Sequence, residues 1–264
     1  VAEMLPTPPD DRGSDNIRSL VFSPDGAYIA TGHISGRIWI WNMNEEATDL
    51  GRPISIFRSD DEDVLNITFT PDGQRLFTSH RDNEIREWSI RDGALVNTIV
   101  RENFDQFDFP VPVIIALSND GQYVATGAQN RREFTYVDGD LQLTRFEGSP
   151  GAVEILNPAT GETFYIEQVF DSEISAMSFS PDGRFLAVAN ERGVIKLIEI
   201  GTFTEWASYF STDRPIESLS FHPDGTQIIT VNSNSDVVFW DLIQDNNGNR
   251  ELFDDGFRDY RFDI

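Results

Sequence analysis

The sequence predicts an all-β protein assembled from five copies of one small antiparallel sheet. Three observations support this. Short runs rich in Ile, Val, Leu, Phe, Tyr, Trp and Thr fill the chain, a Pro-Asp-Gly turn signal (Asn-Asp-Gly in the third group) separates the first run of each group from the second, and that signal returns at a regular spacing. Its aspartates are Asp25, Asp72, Asp120, Asp182 and Asp224, so the steps are 47, 48, 62 and 42 residues.

The first copy sets the grammar. Its strand runs are Ile17 to Phe22, Tyr28 to Gly32, Arg37 to Asn42 and Pro53 to Phe57. Pro24-Asp25-Gly26 makes the first reversal: proline sets φ for the first corner, aspartate bonds the backbone two residues on, and glycine accepts positive φ. Ser35-Gly36 makes the second reversal. The second copy runs Val64 to Phe69, Arg75 to Ser79, Glu84 to Ser89 and Ala94 to Val100.

The third copy is interrupted. Val113 to Leu117 and Tyr123 to Gly127 are followed by an insertion at 129–150, and Val153 to Asn157 and Glu162 to Glu167 complete the unit. Within the insertion, Asp138-Gly139 sits between two alternating runs, which is a hairpin signal. The fourth copy runs Ile174 to Phe179, Phe185 to Ala189, Val194 to Ile200 and Phe203 to Tyr209. The fifth runs Ile216 to Phe221, Gln227 to Val231 and Val237 to Leu242, with Glu251 to Phe253 as candidate outer strand.

Taking out the insertion brings the step of 62 into line with the others. A period in the forties with four short strands per repeat is the signature of a β-propeller, in which no repeat buries both faces without stacked neighbours. The expected blades are 17–58, 64–101, 112–168 with the hairpin at 129–150, 173–210 and 215–254, in a single domain over 1–264.

The repeated words are FSPDG at 22–26, FTPDG at 69–73, LSNDG at 117–121, FSPDG at 179–183 and FHPDG at 221–225, with closing pairs Trp41-Asn42, Trp88-Ser89 and Trp240-Asp241. With these the chain resembles the WD-repeat β-propellers from Ile17 to Leu242. The resemblance implies a non-catalytic scaffold whose second-to-third-strand turns, with the connections entering each first strand, form the face most used for docking. It also implies a hydrogen-bonded network of Gly-His before the first strand, a turn aspartate, a strand hydroxyl and the tryptophan. Here Gly32-His33 follows a second strand, the turn position holds Ser35, Asp82, Asn130, Arg192 and Asn234, and Ile198 replaces the fourth tryptophan. The blades are therefore expected to rely more on packing than on that network.

Five units are fewer than the seven the resemblance leads one to expect. Val1 to Leu5 reads as an outer strand of a preceding blade, and Gly256 to Ile264 as the opening of a following one, so the expectation is an arc of a larger ring or part of a longer chain. The alternative is strand exchange that closes five blades, with Val1 to Leu5 pairing inside the fifth.

Composition narrows the function. The chain is 39% hydrophobic, too rich for disorder, and no apolar run approaches the roughly 18–20 residues of a membrane helix. There are no cysteines, which excludes disulfides, thiolate metal sites and cysteine nucleophiles and leaves the compartment open. With 45 Asp plus Glu against 20 Lys plus Arg, the formal net charge is −25, which repels phosphate backbones and anionic lipid and favours cationic partners. No nucleic acid and no membrane insertion are expected.

Catalytic motifs are missing: no G-x-S-x-G, H-E-x-x-H, Walker loop or G-x-G-x-x-G occurs, and no cofactor or metal is expected. His33 and His80 occupy equivalent places after second strands and are the best candidates for a ligand-binding or enzymatic alternative, although they lie a whole blade apart. Asp60-Asp61-Glu62-Asp63 reads as a solvated loop. Partner binding is placed on the insertion, where Arg131, Arg132, Phe134, Tyr136, Arg145 and Phe146 form a basic and aromatic cluster of the residue types enriched at interface hot spots. Phe104 and Phe107, in the connection Asn103 to Pro110, are a second candidate for the same face. A structural subunit that self-assembles through exposed strands is the competing reading.

Overall fold

The computed structural model describes residues 15–43, 53–59, 63–82, 84–100, 112–128, 133–137, 140–144, 151–210, 214–244 and 250–254. They contain strands and turns and no helix. Blade 1 is formed by β1 (Ile17–Phe22), β2 (Tyr28–His33), β3 (Arg37–Asn42) and β4 (Pro53–Arg58), and blade 2 by β5 (Val64–Phe69), β6 (Arg75–His80), β7 (Glu84–Ser89) and β8 (Leu95–Val100). Blade 3 begins with β9 (Pro112–Leu117) and β10 (Val124–Ala128), detours through β11 (Glu133–Val137) and β12 (Asp140–Thr144), and ends with β13 (Gly151–Leu156) and β14 (Thr163–Phe170). Blade 4 holds β15 (Ile174–Phe179), β16 (Phe185–Asn190), β17 (Val194–Glu199) and β18 (Thr204–Phe210). Blade 5 holds β19 (Ile216–Phe221), β20 (Gln227–Asn232), β21 (Val237–Gln244) and β22 (Arg250–Asp254).

Each blade is a four-stranded antiparallel meander, and the five stack as the blades of a β-propeller. The first strands make the stack: β1 lies against β5, β5 against β9, β9 against β15 and β15 against β19. The fourth strand of blade 5 is β22, the place the strand-exchange alternative assigned to Val1 to Leu5; those five residues, like Gly256 to Ile264, lie outside the described residues.

The first turns explain why the same words recur. In blade 1 the Ser23 hydroxyl donates to Asp25 Oδ1 at 2.6 Å, Asp25 Oδ1 accepts from the Ala27 amide at 3.0 Å, and Tyr28 N–H donates back to Ser23 Oγ at 2.9 Å. Thr70 with Asp72, Ser118 with Asp120 and Ser180 with Asp182 repeat this arrangement. Gly26 adopts φ 70°, Gly73 67°, Gly121 70°, Gly183 70° and Gly225 72°, so the last letter of each word is fixed by backbone conformation. In blade 5 His222 replaces the serine and sits 2.8 Å from Asp224 Oδ1. The Thr226 hydroxyl and amide, with His222, hold the Asp224 carboxyl down to about 2.

The core lies between blades. Ala30, Ile38, Ile40 and Phe57 of blade 1 meet Val64, Ile67, Phe69, Leu76 and Trp88 of blade 2, and Ala187, Ala189, Ile195 and Leu197 of blade 4 meet Ile216, Leu219, Phe221, Ile228 and Trp240 of blade 5. The strand edges follow from this. β14 runs on past Glu167 because Val169 and Phe170 bury against Ile174 of the next blade. β13 begins at Gly151 because a Cβ there would lie 2.5 Å from the Ser172 carbonyl oxygen.

Gly32 and Gly127, like Gly151, are required by closeness rather than by φ. A Cβ on Gly32 would sit 2.5 Å from Val64 Cγ1, and one on Gly127 would sit 3.1 Å from Ile174 Cγ2. Gly32→Ala is expected to force the first strand of blade 2 away from blade 1 and to lower unfolding free energy by about 1–3 kcal/mol. Urea unfolding of the variant beside the wild type measures it, and an unchanged midpoint would contradict this packing.

Candidate interaction surface

The insertion leaves blade 3 between β10 and β13 and forms its own two-stranded sheet, hydrogen-bonded to none of the five blades. In its register Phe134 pairs Leu143, Thr135 pairs Gln142 and Tyr136 pairs Leu141. In the sequence of these two strands apolar residues alternate with polar ones, which adds Leu141 and Leu143, separated by Gln142, to the aromatic residues already singled out. Arg131, Arg132, Arg145, Phe146, Phe104 and Phe107 lie outside the described residues.

His33 and His80 have structural employment. Both are fully buried at the ends of β2 and β6. Trp41 Nε1–H donates to Thr31 Oγ1 at 3.0 Å, and Thr31 Oγ1 is 2.9 Å from His33 Nε2. His33 Nδ1 lies 3.2 Å from the Asp15 carbonyl oxygen, which fixes the tautomer: Nδ1–H donates outward and Nε2 accepts from the threonine hydroxyl. Blade 2 repeats the chain, with Trp88 to Thr78 at 2.8 Å, Thr78 to His80 Nε2 at 2.6 Å and His80 Nδ1 to Ser59 Oγ at 3.3 Å. Blade 5 keeps the Trp240 to Thr230 bond at 3.0 Å, with Asn232 in the histidine's place, where it caps its own turn.

The blades were expected to rely more on packing than on the polar network; blades 3 and 4 do so, whereas blades 1 and 2 build the network beside the packing. The groups are present with two places exchanged: histidine comes from the end of the second strand, and its partner comes from the connection entering the first strand. In blade 1 that partner is Asp15, whose carboxylate also accepts from the Ser35 amide at 3.2 Å and the Ser35 hydroxyl at 2.7 Å. Ser59, buried just before Asp60, fills the same role in blade 2. Burial is the main cause holding the His33 imidazole below its ordinary value, so it is neutral and serves as a relay in the network.

Among the described residues no group of three or more His, Asp or Glu side chains is placed to hold a metal ion. Among them, too, no helix is long and apolar enough to cross a membrane.

Comparison with known proteins agrees with this geometry. The family model described as WD domain, G-beta repeat matches residues 10–42, 51–89, 165–199 and 205–241. The chain belongs to the WD40 family. The matches at 51–89, 165–199 and 205–241 begin in the outer strand of one blade and end in the third strand of the next, so each sequence repeat straddles two blades. The unmatched stretch includes the part of blade 3 where Leu156 stands at the tryptophan position. A mouse protein, Periodic tryptophan protein 2 homolog, is 29% identical over 228 residues, 84% of this chain and 21% of its own length. Abnormal embryogenesis protein 30 of Caenorhabditis elegans is 56% identical over 32 residues, 12% of this chain and 3% of its own length. The chain thus spans a small part of both relatives. WD40 propellers typically mediate protein–protein contacts.

Two predictions follow from the network. Trp88→Phe keeps an aromatic ring but leaves the buried Thr78 hydroxyl oxygen short of its indole donor, and is expected to cost about 1–3 kcal/mol by chemical denaturation. The second concerns pH. A base whose folded value is lowered binds fewer protons folded than unfolded, so stability is expected to fall as pH drops below 6.5, and His33→Gln should flatten that limb of the urea-midpoint profile. The depressed carboxyls of Asp25, Asp72 and Asp224 withdraw their support only below 3.8, in a separate acid limb.

Proposed function

We propose that the chain is a single-domain, non-catalytic scaffold that presents the 129–150 hairpin to a protein partner. The observation that supports this is a hairpin that, among the described residues, pairs with none of the five blade sheets and sets Phe134 opposite Leu143 and Tyr136 opposite Leu141 in its register. Aromatic and aliphatic residues on a projecting element supply contact area, and Arg131, Arg132 and Arg145 add the cationic groups that an otherwise acidic surface lacks. Phe104 and Phe107, in the connection into blade 3, are the second candidate contact residues of this reading. With His33 and His80 committed to the network, the enzymatic alternative has lost its best residues. The family supports the same reading, since it is typically one of interaction scaffolds.

Affinity capture from a native lysate with three baits tests the reading: wild type, Phe134→Ala with Tyr136→Ala, and Thr135→Ala with Gln142→Ala. Proteins held by the wild type and the second pair should be lost from the first pair, while circular dichroism and thermal midpoint stay unchanged. Identical captures by all three would remove the hairpin from the interface.

A further inference from the structure

The third turn of a blade, between its third and fourth strands, packs against the outer strand of the blade before it. In blade 2 a Cβ on Gly93 would lie 2.4 Å from Phe57 Cδ1 of β4, and in blade 3 one on Gly161 would lie 3.7 Å from Ile99 Cγ2 of β8. Both glycines have positive φ, 70° and 73°, and their amides donate to the Ser89 and Asn157 carbonyls at 2.9 and 2.8 Å. Blade 4 makes the same turn, with the amide donating to the Glu199 carbonyl at 2.8 Å, but the residue is Phe203 at φ 54°. A bulky side chain in that region is strained, and the strain persists only where the surroundings hold it.

What holds it is an aromatic cluster across the seam of blades 3 and 4. The Phe203 ring stacks on Phe164, centroids 6.1 Å apart and planes 9° apart, and on Tyr165 at 6.1 Å and 19°. Tyr123 meets Phe164 edge-on at 5.6 Å and Phe203 at 6.3 Å. Tyr123, Tyr165 and Phe203 are half-buried against the core, whereas Phe164 is 39% exposed. Packing alone does not require this arrangement, since blades 2 and 3 seat the same turn on the preceding outer strand with glycine.

The charge around the cluster is negative. Glu162, Glu167 and Glu205 are exposed and Glu199 is half-buried. The Tyr165 hydroxyl donates to Glu167 Oε2 at 2.8 Å, and burial, that bond and the charges of Glu167 and Glu205 hold the hydroxyl above its ordinary value. Lys196 Nζ lies 2.7 Å from Glu205 Oε2 and 5.4 Å from the centre of the Phe170 ring, while Arg184 stands over Phe185 at 5.4 Å. The seam thus already seats one cation between a carboxylate and an aromatic ring, and three further glutamates adjoin the cluster that holds the exposed Phe164.

We infer that this platform is a second docking site, which takes an arginine-bearing segment of a partner protein: the guanidinium lies on the Phe164 and Phe203 rings, and Glu162, Glu167 and Glu199 meet its charge. Charge complementarity selects a cation, because carboxylates outnumber the ammonium of Lys196 around the rings. Ring geometry selects arginine over lysine, because a planar and weakly hydrated guanidinium stacks on a flat aromatic face. The strained Phe203 is then the residue that completes the platform, at a place where glycine would suffice for the turn. Blades 3 and 4 each have a described blade on both sides. The cluster lies at the first-turn end of blade 3 and the 129–150 hairpin leaves from the second turn, at the other end, so the two sites are independent.

Fluorescence anisotropy on the full chain tests this with two labelled peptides of equal charge, one alternating arginine with glycine and the other lysine with glycine. The wild type should bind the arginine peptide about ten-fold more tightly than the lysine peptide. Phe164→Ala and Phe203→Gly leave the net charge unchanged, and each should abolish that preference. Leu95→Ala, which removes an exposed apolar side chain from blade 2, should keep it, as should the hairpin pair Phe134→Ala with Tyr136→Ala, which separates this site from the hairpin reading. Glu162→Gln with Glu167→Gln should weaken binding of both peptides. Circular dichroism and the urea midpoint establish that each variant is folded; if Phe203→Gly is not, Phe164→Ala, whose ring is exposed, decides. Equal binding of the two peptides by the wild type, no binding of either, a preference that survives loss of the ring, or an acidic variant that binds as the wild type does would overturn the inference.

Discussion

The seam between consecutive blades is the interaction on which this fold depends. A single four-stranded meander exposes two apolar faces and cannot be stable alone; stacking removes one face of each neighbour from water at once. Burying a Val, Ile, Leu or Phe side chain stabilises by about 1.5–3 kcal/mol, and a seam such as that between blades 1 and 2 gathers nine buried residues. Close approach is what makes the seam dense. Gly32 and Gly127 give up their side chains so that Val64 and Ile174 can lie directly on the neighbouring backbone.

Hydrogen bonding then ties strands within a blade where the seam alone would leave polar atoms stranded. The indole of Trp88 lies in the seam between blades 1 and 2 and that of Trp41 is buried with Ile29 and Trp39 of its own blade; each N–H needs an acceptor, the threonine of the adjacent second strand supplies it, and the histidine accepts from the threonine. Where the tryptophan is lost, the arrangement unravels in order. Blade 3 has Leu156 in that place and its Thr126 hydroxyl is buried without a partner, while blade 4 has replaced both groups, with Val188 and Ile198. Removing both members of a buried polar pair is nearly neutral, whereas removing one leaves a cost, so blade 4 is the better repaired of the two.

Most of this architecture was legible because strands and turns are local. The FSPDG words encode a turn whose serine, aspartate and glycine all act within a few residues, and they fixed the order of the blades. The polar network was not legible in the same way. His33 meets Asp15 across 18 positions and His80 meets Ser59 across 21, so a histidine displaced from its usual place read as a missing one. The exposure of Ile17, Leu20 and Phe22 cannot be read from their local sequence, which matches that of the buried Val64, Ile67 and Phe69.

The two ends of the blades are under unequal constraint, and this bears on where recognition resides. At one end the first turns repeat the same hydroxyl-aspartate bond four times, and neighbouring turns touch: Asn119 donates to the Pro181 carbonyl at 3.0 Å, and a Cβ built on Gly225 lies 3.7 Å from Pro181 Cδ. Changing one such turn disturbs the next, so that end is conservative for mechanical reasons. At the other end the second turns and the connections entering first strands differ from blade to blade: Asp15 in one, Ser59 in another, an inserted hairpin in the third. Blade 3 carries no tryptophan relay across its second turn, so its strands part there without breaking a network. An insertion is tolerated at that point at the least cost to the seam, which is why blade 3 and not blade 1 or 2 accommodates it.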